Sequence, residues 1–219
     1  MNDTRPTGQV TGLFTGKVAT PWKDRAPSAI AKTAAHGPLH ITAHGLEGDE
    51  QADLSVHGGP DQAVHHYAVE HFDVWASKFP EDADKFAPGC FGENVSSTGL
   101  TEQNLCIGDV LRIGTALLQV TQGRQPCWKL DAHMQRTDMA YQFRKTGRTG
   151  WYYRVLEPGV VDVGAAIELQ DRPCQDWSIA DVTHARFTPN LDVSLAGTLA
   201  TLEPLSAVWR DIFLKRADG

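Results

Sequence analysis

The chain has 219 residues, with 20 Lys plus Arg against 27 Asp plus Glu, and a formal net charge of −7. That length allows one sizeable core, while the acidic balance argues against non-specific binding to nucleic acid or anionic membranes, which needs clustered positive charge. With 41% hydrophobic and 21% charged residues the composition is that of a folded rather than a disordered protein.

In chain order, residues 1–7 lack the apolar core of a signal peptide, and no run reaches the ~18 apolar residues of a membrane span. A cytoplasmic protein with no membrane partner is expected. Residues 10–15, 28–33 and 39–43 read as strands separated by Gly and Pro. Val69, Phe72, Trp75, Ala76 and Phe79 share one helical face. Residues 110–113 and 116–121 read as a hairpin around Gly114, and Glu157-Pro158-Gly159 marks a turn between 151–156 and 160–163. Asp131 is expected to cap a second helix, with Met139, Ala140 and Phe143 inward and Gly147 at its end. A last strand covers 166–170.

After Pro173 the pattern turns helical. Ser178 with Asp181 resembles a capping box, Leu191, Leu195, Leu199 and Leu202 suggest a helix, and Leu205, Val208, Trp209, Ile212 and Phe213 form an amphipathic stripe. Regular strand–helix alternation is absent, which excludes a doubly wound parallel sheet. A mainly β, mostly antiparallel barrel with helical insertions is expected over 1–172, followed by a small helical unit over 176–219.

Three segments carry chemistry. In His57-Gly58-Gly59-Pro60-Asp61-Gln62-Ala63-Val64-His65-His66, two glycines permit close backbone approach and free amides suit an anion. The same residues also read as an ordinary tight turn with solvated histidines. His66 and His71 are one residue too far apart for a zinc helix: at ~100° per residue they stand roughly 140° apart. In Gly123-Arg124-Gln125-Pro126-Cys127-Trp128-Lys129, a cysteine between strand and helix lies beside Arg124 and Lys129, which favour a thiolate suited to a soft metal. The other reading of Cys127 is a buried, inert thiol. Cys90, Cys106 and Cys174 have weaker contexts, and no CxxC pair occurs. Gly92-Glu93-Asn94 before a strand, and Asp49, read either as pocket groups or as turn residues. Lys17 reads as a phosphate contact or a solvated strand-end lysine. No dinucleotide, Walker or GxSxG motif is present.

Taken together, Thr15-Gly16-Lys17, Pro27 to Lys32, Gly45-Leu46-Glu47-Gly48-Asp49, His57 to Asp61, Gly92-Glu93-Asn94 and Arg124 to Leu130 resemble the MOSC (molybdenum cofactor sulfurase C-terminal) domain. Their order is similar to the stand-alone YiiM-like branch, and the tail resembles that branch's three-helix C-terminal domain. The resemblance implies a MOSC-type β-barrel that binds the molybdenum cofactor, Mo-molybdopterin, and reduces N-hydroxylated compounds. Hydroxylaminopurines, hydroxylamines and amidoximes are the implied small-molecule substrates. Cys127 matches the family's molybdenum-ligating cysteine. Lys17, Ser28, His57, Gly58, Gly59, Asn94 and Arg124 are the expected cofactor contacts. Gln62 stands where many members have a basic residue, and Gly123 where many have Pro. The proton donor is expected to be His57 or His65, whose unperturbed pKa is about 6.5, with Asp61 orienting one of them. The chain shows no flavin, haem or iron–sulfur signature, so a separate flavoprotein is the expected electron donor. Pyridoxal phosphate is not expected, and a homodimer is compatible with the reading. Two alternatives stay open: a sulfur carrier or transferase with a Cys127 persulfide, and a non-catalytic cofactor-binding module.

Overall fold

A computed structural model describes residues 6–53 and 58–219. The elements, in order, are β1 (Thr7–Thr15), β2 (Thr33–Ala34), β3 (Leu39–Thr42), β4 (Gly45–Leu46), β5 (Val64–Ala68), α1 (Glu70–Lys78) and β6 (Val95–Thr98). They continue with β7 (Val110–Ile113), β8 (Ala116–Gly123), α2 (Trp128–Met134), α3 (Met139–Thr146) and β9 (Trp151–Glu157). Last come β10 (Gly159–Val161), β11 (Ala166–Asp171), α4 (Ile179–Phe187), α5 (Val193–Ala200) and α6 (Ala207–Ala217). Among the described residues, seven strands close a barrel in the order β1-β11-β7-β8-β9-β5-β6, with β6 returning to β1. Within this barrel β5–β6 is the parallel pair and the other pairings are antiparallel. A parallel pair needs a long crossover, and α1 with the segment leading to β6 supplies it. The barrel with helices agrees with the fold read from the sequence. No helix among the described residues is long and apolar enough to cross a membrane.

Departures from the expected elements have local causes. β5 reads in sequence as a turn with solvated histidines, yet all five of its residues are buried. Both faces are covered, so the two-residue alternation that marks a half-exposed strand is missing. The expected strand over 28–33 reduces to a bridge between Ala19 and Ser28 plus the short β2, and the residues between line a cavity instead. After the turn at Pro158, β10 pairs with β3 rather than folding back on β9. The single helix expected near Asp131 is two: Gln135, at φ 54°, ends α2. Asp131 still caps, but from inside α2, accepting the Ala140 amide of α3 at 2.6 Å.

The tail is more integrated than a detachable unit. Ile179, Val182, Leu199, Leu205, Trp209 and Phe213 belong to the same buried cluster as Leu111, Leu118 and Val120 of the barrel. Backbone bonds cross the junction, from Ile179 N to Leu105 O (2.9 Å) and from Ser206 N to Thr121 O (3.0 Å). The stripe is narrower than its spacing suggests. Leu205 precedes α6, and Val208 turns outward while Trp209 and Phe213 face in. Ser178 Oγ accepts the Asp181 amide at 3.0 Å and donates to the Asp181 carboxylate at 2.6 Å. Ser178→Ala is expected to cost about 1 kcal/mol. Urea denaturation checks this, and an unchanged midpoint would show that the cap contributes nothing in solution.

Candidate functional site

At the end of β8 the chain leaves the barrel as Arg124–Cys127 and enters α2, with Cys127 in extended backbone at the helix start. Arg124 N donates to Gly150 O at 3.0 Å, which fixes the turn to the start of β9. A Cβ at Gly123 would lie 2.2 Å from Thr183 Oγ1 of α4, so a larger residue there would require the Thr183 side chain to shift. The turn faces a cavity of about 100 Å³. Cys127, Arg124, Gln125 and Lys129 line one side, and Ser28, Lys32, Asp49, Asn94, His65 and Tyr152 line the rest.

Asp49 organises part of the cavity wall. Its carboxylate accepts from Lys32 Nζ at 2.5 and 2.7 Å, from Gly16 N at 2.7 Å and from Asn94 Nδ2 at 2.8 Å. The Lys32 and Asp49 side chains are only 6% and 7% exposed. Burial lowers the Lys32 pKa below its usual value, and Asp49 opposes that shift. Asn94 Oδ1 accepts the His65 amide at 3.1 Å, so Asn94 links the carboxylate to β5. Lys129 Nζ donates to Pro27 O at 2.9 Å, tying α2 to the segment that carries Ser28. Arg124 is buried, yet its Nη1 has no hydrogen-bond partner among the described residues.

His65 lines the cavity, but not as a ready acid. Burial, and next the Arg124 charge, hold its pKa well below the ordinary value, while the backbone at Gly92 and Thr149 opposes this. The imidazole is therefore neutral at neutral pH, and its Nε2 is unpartnered among the described residues. This corrects the expectation of an unperturbed histidine at that position. Burial also raises the pKa of Tyr152, against the Arg124 charge, so its phenol keeps its proton.

Other expected site residues lie elsewhere. Lys17 is exposed and pairs with Glu50 at 3.1 Å, and it does not line the cavity. Lys32 has a buried side chain in this region, as does Lys129; the signal of Lys32 in the sequence is a cation closing the small apolar run Ala29-Ile30-Ala31. Asp61 does not orient a histidine. Its carboxylate accepts from Arg154 at 2.5 and 2.9 Å and from the Ala207 amide at 3.0 Å, which places it at the junction with the tail. His57 lies outside the described residues. Gly59, at φ 87°, begins a short 3-10 turn over Pro60–Gln62; neither it nor Gly58 lines the cavity, whereas Gln62 does. Glu93 serves its own loop, accepting from Gly89 N, Phe91 N and Ser96 Oγ.

His66 points away from the cavity into the barrel core. It pairs with Tyr153 Oη at 2.9 Å and Ser97 Oγ at 2.7 Å and stacks on Trp151. Burial pushes its pKa down to about 3. In the unfolded chain it returns to about 6.5. Between those values the unfolded chain binds a proton that the folded chain does not. This contribution to stability is complete above pH ~6.5 and is lost as pH falls toward ~3. Urea unfolding between pH 7 and pH 4.5 should therefore show falling stability, with a shallower slope in His66→Gln. An equal slope in that variant would assign the acid lability to other groups.

Among the described residues no group of three or more His, Cys, Asp or Glu is arranged to hold a metal. His71 instead pairs with Glu102 at 2.6 Å. A metal at Cys127 would have to bring its other ligands with it. Cys90, Cys106 and Cys174 do not line the cavity, and burial raises the pKa of all three.

Residues 53–168 match the MOSC domain, and residues 177–218 match the YiiM-like 3-alpha helix domain. Protein YiiM of Escherichia coli (strain K12) is 47% identical over 204 residues, covering 93% of this chain and 90% of that protein. A protein named Reductase from Gibberella moniliformis is 35% identical over 190 residues, covering 86% of this chain but 34% of that longer protein. The crystal structure of YiiM from Geobacillus stearothermophilus superposes with a TM-score of 0.82 at 34% identity, covering 96% of this chain and 99% of its own. With both parts of the chain matched and the barrel shared, the chain belongs to the MOSC-domain family, in its YiiM-like branch.

Proposed function

We propose that the chain is a molybdenum-cofactor-dependent oxidoreductase that reduces N-hydroxylated compounds to amines or amidines. MOSC domains are associated with molybdenum cofactor binding in general. The relative named Reductase supports redox chemistry. The observation that carries the reading is that Cys127 and a buried guanidinium, Arg124, line one cavity, and that Arg124 Nη1 is unpartnered among the described residues. A buried, unpaired N–H is costly unless a ligand satisfies it, and an anion is the natural partner for a guanidinium.

The residues fit the group. Cys127 would give one soft ligand to the metal. Arg124, Lys32, Lys129 and Ser28 would face the anionic part of the cofactor. When bound, the cofactor supplies the two-electron chemistry. The reaction R–NHOH + 2e⁻ + 2H⁺ → R–NH₂ + H₂O also needs protons inside a partly closed site. Neutral His65, with Nε2 unpartnered among the described residues, offers a hydrogen bond there. Lys32 lines the same cavity with its pKa lowered by burial, so its ammonium releases a proton more readily than a surface lysine. The electrons come from a separate flavoprotein.

The test is to purify the protein from a host that makes the cofactor and to measure molybdenum and pterin per chain. Reduction of a hydroxylaminopurine with a chemically reduced dye is assayed alongside. Stoichiometric cofactor with turnover supports the reading. A persulfide on Cys127 without molybdenum would replace it with sulfur transfer, and bound cofactor without turnover would replace it with a binding module.

A further inference from the structure

Helix α4 of the tail stands behind the turn that carries Cys127. Ala180, Thr183 and Arg186 follow one another at three-residue spacing and so share one flank of that helix. Each meets a different part of the turn or of its support. Ala180 N donates to Glu102 O at 2.8 Å. Glu102 is fully buried; one carboxylate oxygen pairs with His71, and the other accepts Gly150 N at 2.7 Å. Gly150 O accepts Arg124 N in turn, so Glu102 and Gly150 join the start of α4 to the backbone of the turn. Thr183 lies against Gly123, at the root of the turn. It is fully buried, and its Oγ1 has no hydrogen-bond partner among the described residues, so its contribution there is steric. Arg186 Nη2 donates to Gln125 Oε1 at 2.8 Å. The same guanidinium lies 5.7 and 5.9 Å from the Phe187 and Trp209 ring centroids, which hold it in the tail.

The turn needs such support. Pro126 has no amide to donate, and Gln125 is exposed. A segment outside the strand ladder keeps its place only through what packs on it and bonds to it. None of the residues of α4 lines the cavity, so they act on it through residues 123–125.

We propose that Thr183 and Arg186 are positioning residues, and that α4 is the back support that sets the Arg124–Cys127 turn against the cavity. The helical tail is in this way part of the site's machinery. That Cys127 and Arg124 hold a cofactor rests on the reductase reading; the support of their turn by α4 does not.

The experiment follows amide hydrogen exchange by NMR in the full-length protein. The Arg124 amide reports the turn, and the Ile179 amide, bonded to Leu105 O, reports docking of the tail. Gly123→Ala sets a methyl group against Thr183, and Thr183→Ala removes the obstructing Oγ1 without giving up a hydrogen bond. Exchange at Arg124 should be about tenfold faster in Gly123→Ala and within about twofold of the parent in Gly123→Ala/Thr183→Ala. Arg186→Ala should speed it about fivefold, through loss of a hydrogen bond from a charged group. Exchange at Ile179 should stay at the parent rate in all three. Unchanged Arg124 exchange in Gly123→Ala and Arg186→Ala overturns the proposal. So does equal acceleration at Ile179, which would mean that the tail detaches as a whole. Failure of Thr183→Ala to relieve Gly123→Ala overturns it as well, and if Gly123→Ala does not fold, Arg186→Ala decides. Molybdenum per chain, measured on the same proteins from a cofactor-making host, should fall in Gly123→Ala and recover in the double variant. A parent without molybdenum overturns the reductase reading, while the exchange rates still decide the role of α4.

Discussion

If the chain is the molybdenum-dependent reductase proposed above, Cys127→Ser is expected to bring N-hydroxyl reduction below detection and to weaken metal retention. A neutral hydroxyl is a poor ligand for a soft centre, whereas a thiolate is a strong one. Cys127 sits where such a ligand is useful, in the lining of a cavity it shares with Arg124, Lys32 and Lys129. Cys106 and Cys174 provide the controls. Neither lines that cavity, and burial raises both thiol pKa values, which keeps them protonated. Cys106→Ser and Cys174→Ser should therefore retain molybdenum and turnover. Molybdenum per chain by elemental analysis and turnover with a reduced dye are measured on the same preparations. Undiminished turnover by Cys127→Ser at equal metal occupancy would overturn the assignment.

Asp49→Asn is expected to destabilise the fold by about 3–5 kcal/mol near neutral pH, the usual cost of leaving one partner of a buried ion pair uncompensated. The Lys32 ammonium stays behind, almost fully buried. The amide cannot replace the carboxylate's two contacts to Nζ together with those to Gly16 N and Asn94 Nδ2. The sign of the pH effect follows from Lys32. Its folded pKa is already lowered by burial, and Asp49 is the main influence opposing that. Without Asp49 the folded pKa drops further below the unfolded value of about 10.4. Between the two values the unfolded chain holds a proton that the folded chain has released, so stability rises with pH across that window. The variant should thus recover part of its loss between pH 7 and pH ~9.5, more steeply than the parent. Urea unfolding at the two pH values decides this. A loss below about 1 kcal/mol with no pH dependence would mean that the pair behaves as a solvated surface bridge.

Both predictions depend on groups that the sequence presents unequally. Cys127 stands out in the sequence because a thiol, two cations and a Pro occupy one strand-to-helix turn. Asp49 and Lys32 do not, because 17 residues separate them and neither is unusual in its local context. Lys17, a cofactor contact only by the resemblance, is exposed and paired with Glu50. Asp61, beside the histidines in sequence, is turned toward Arg154 and the tail.

What the sequence by itself determined is the local grammar. The hairpin around Gly114, the α1 face of Phe72 and Trp75, the Ser178 cap and the Cys127 turn are all short-range features. Periodicity, turn chemistry and capping act within a few residues, so they are legible without a fold. Only the tertiary structure decided which charges are buried and which strands are neighbours. β5 is hidden because both its faces are covered, β1 meets β11 across nearly the whole chain, and β10 leaves β9 for β3. Desolvation acts through the same closure: it drives the His65 and His66 pKa values down and makes the Lys32–Asp49 contact a buried pair. Burial is a property of the closed barrel and the tail packed on it, and no window of sequence contains it.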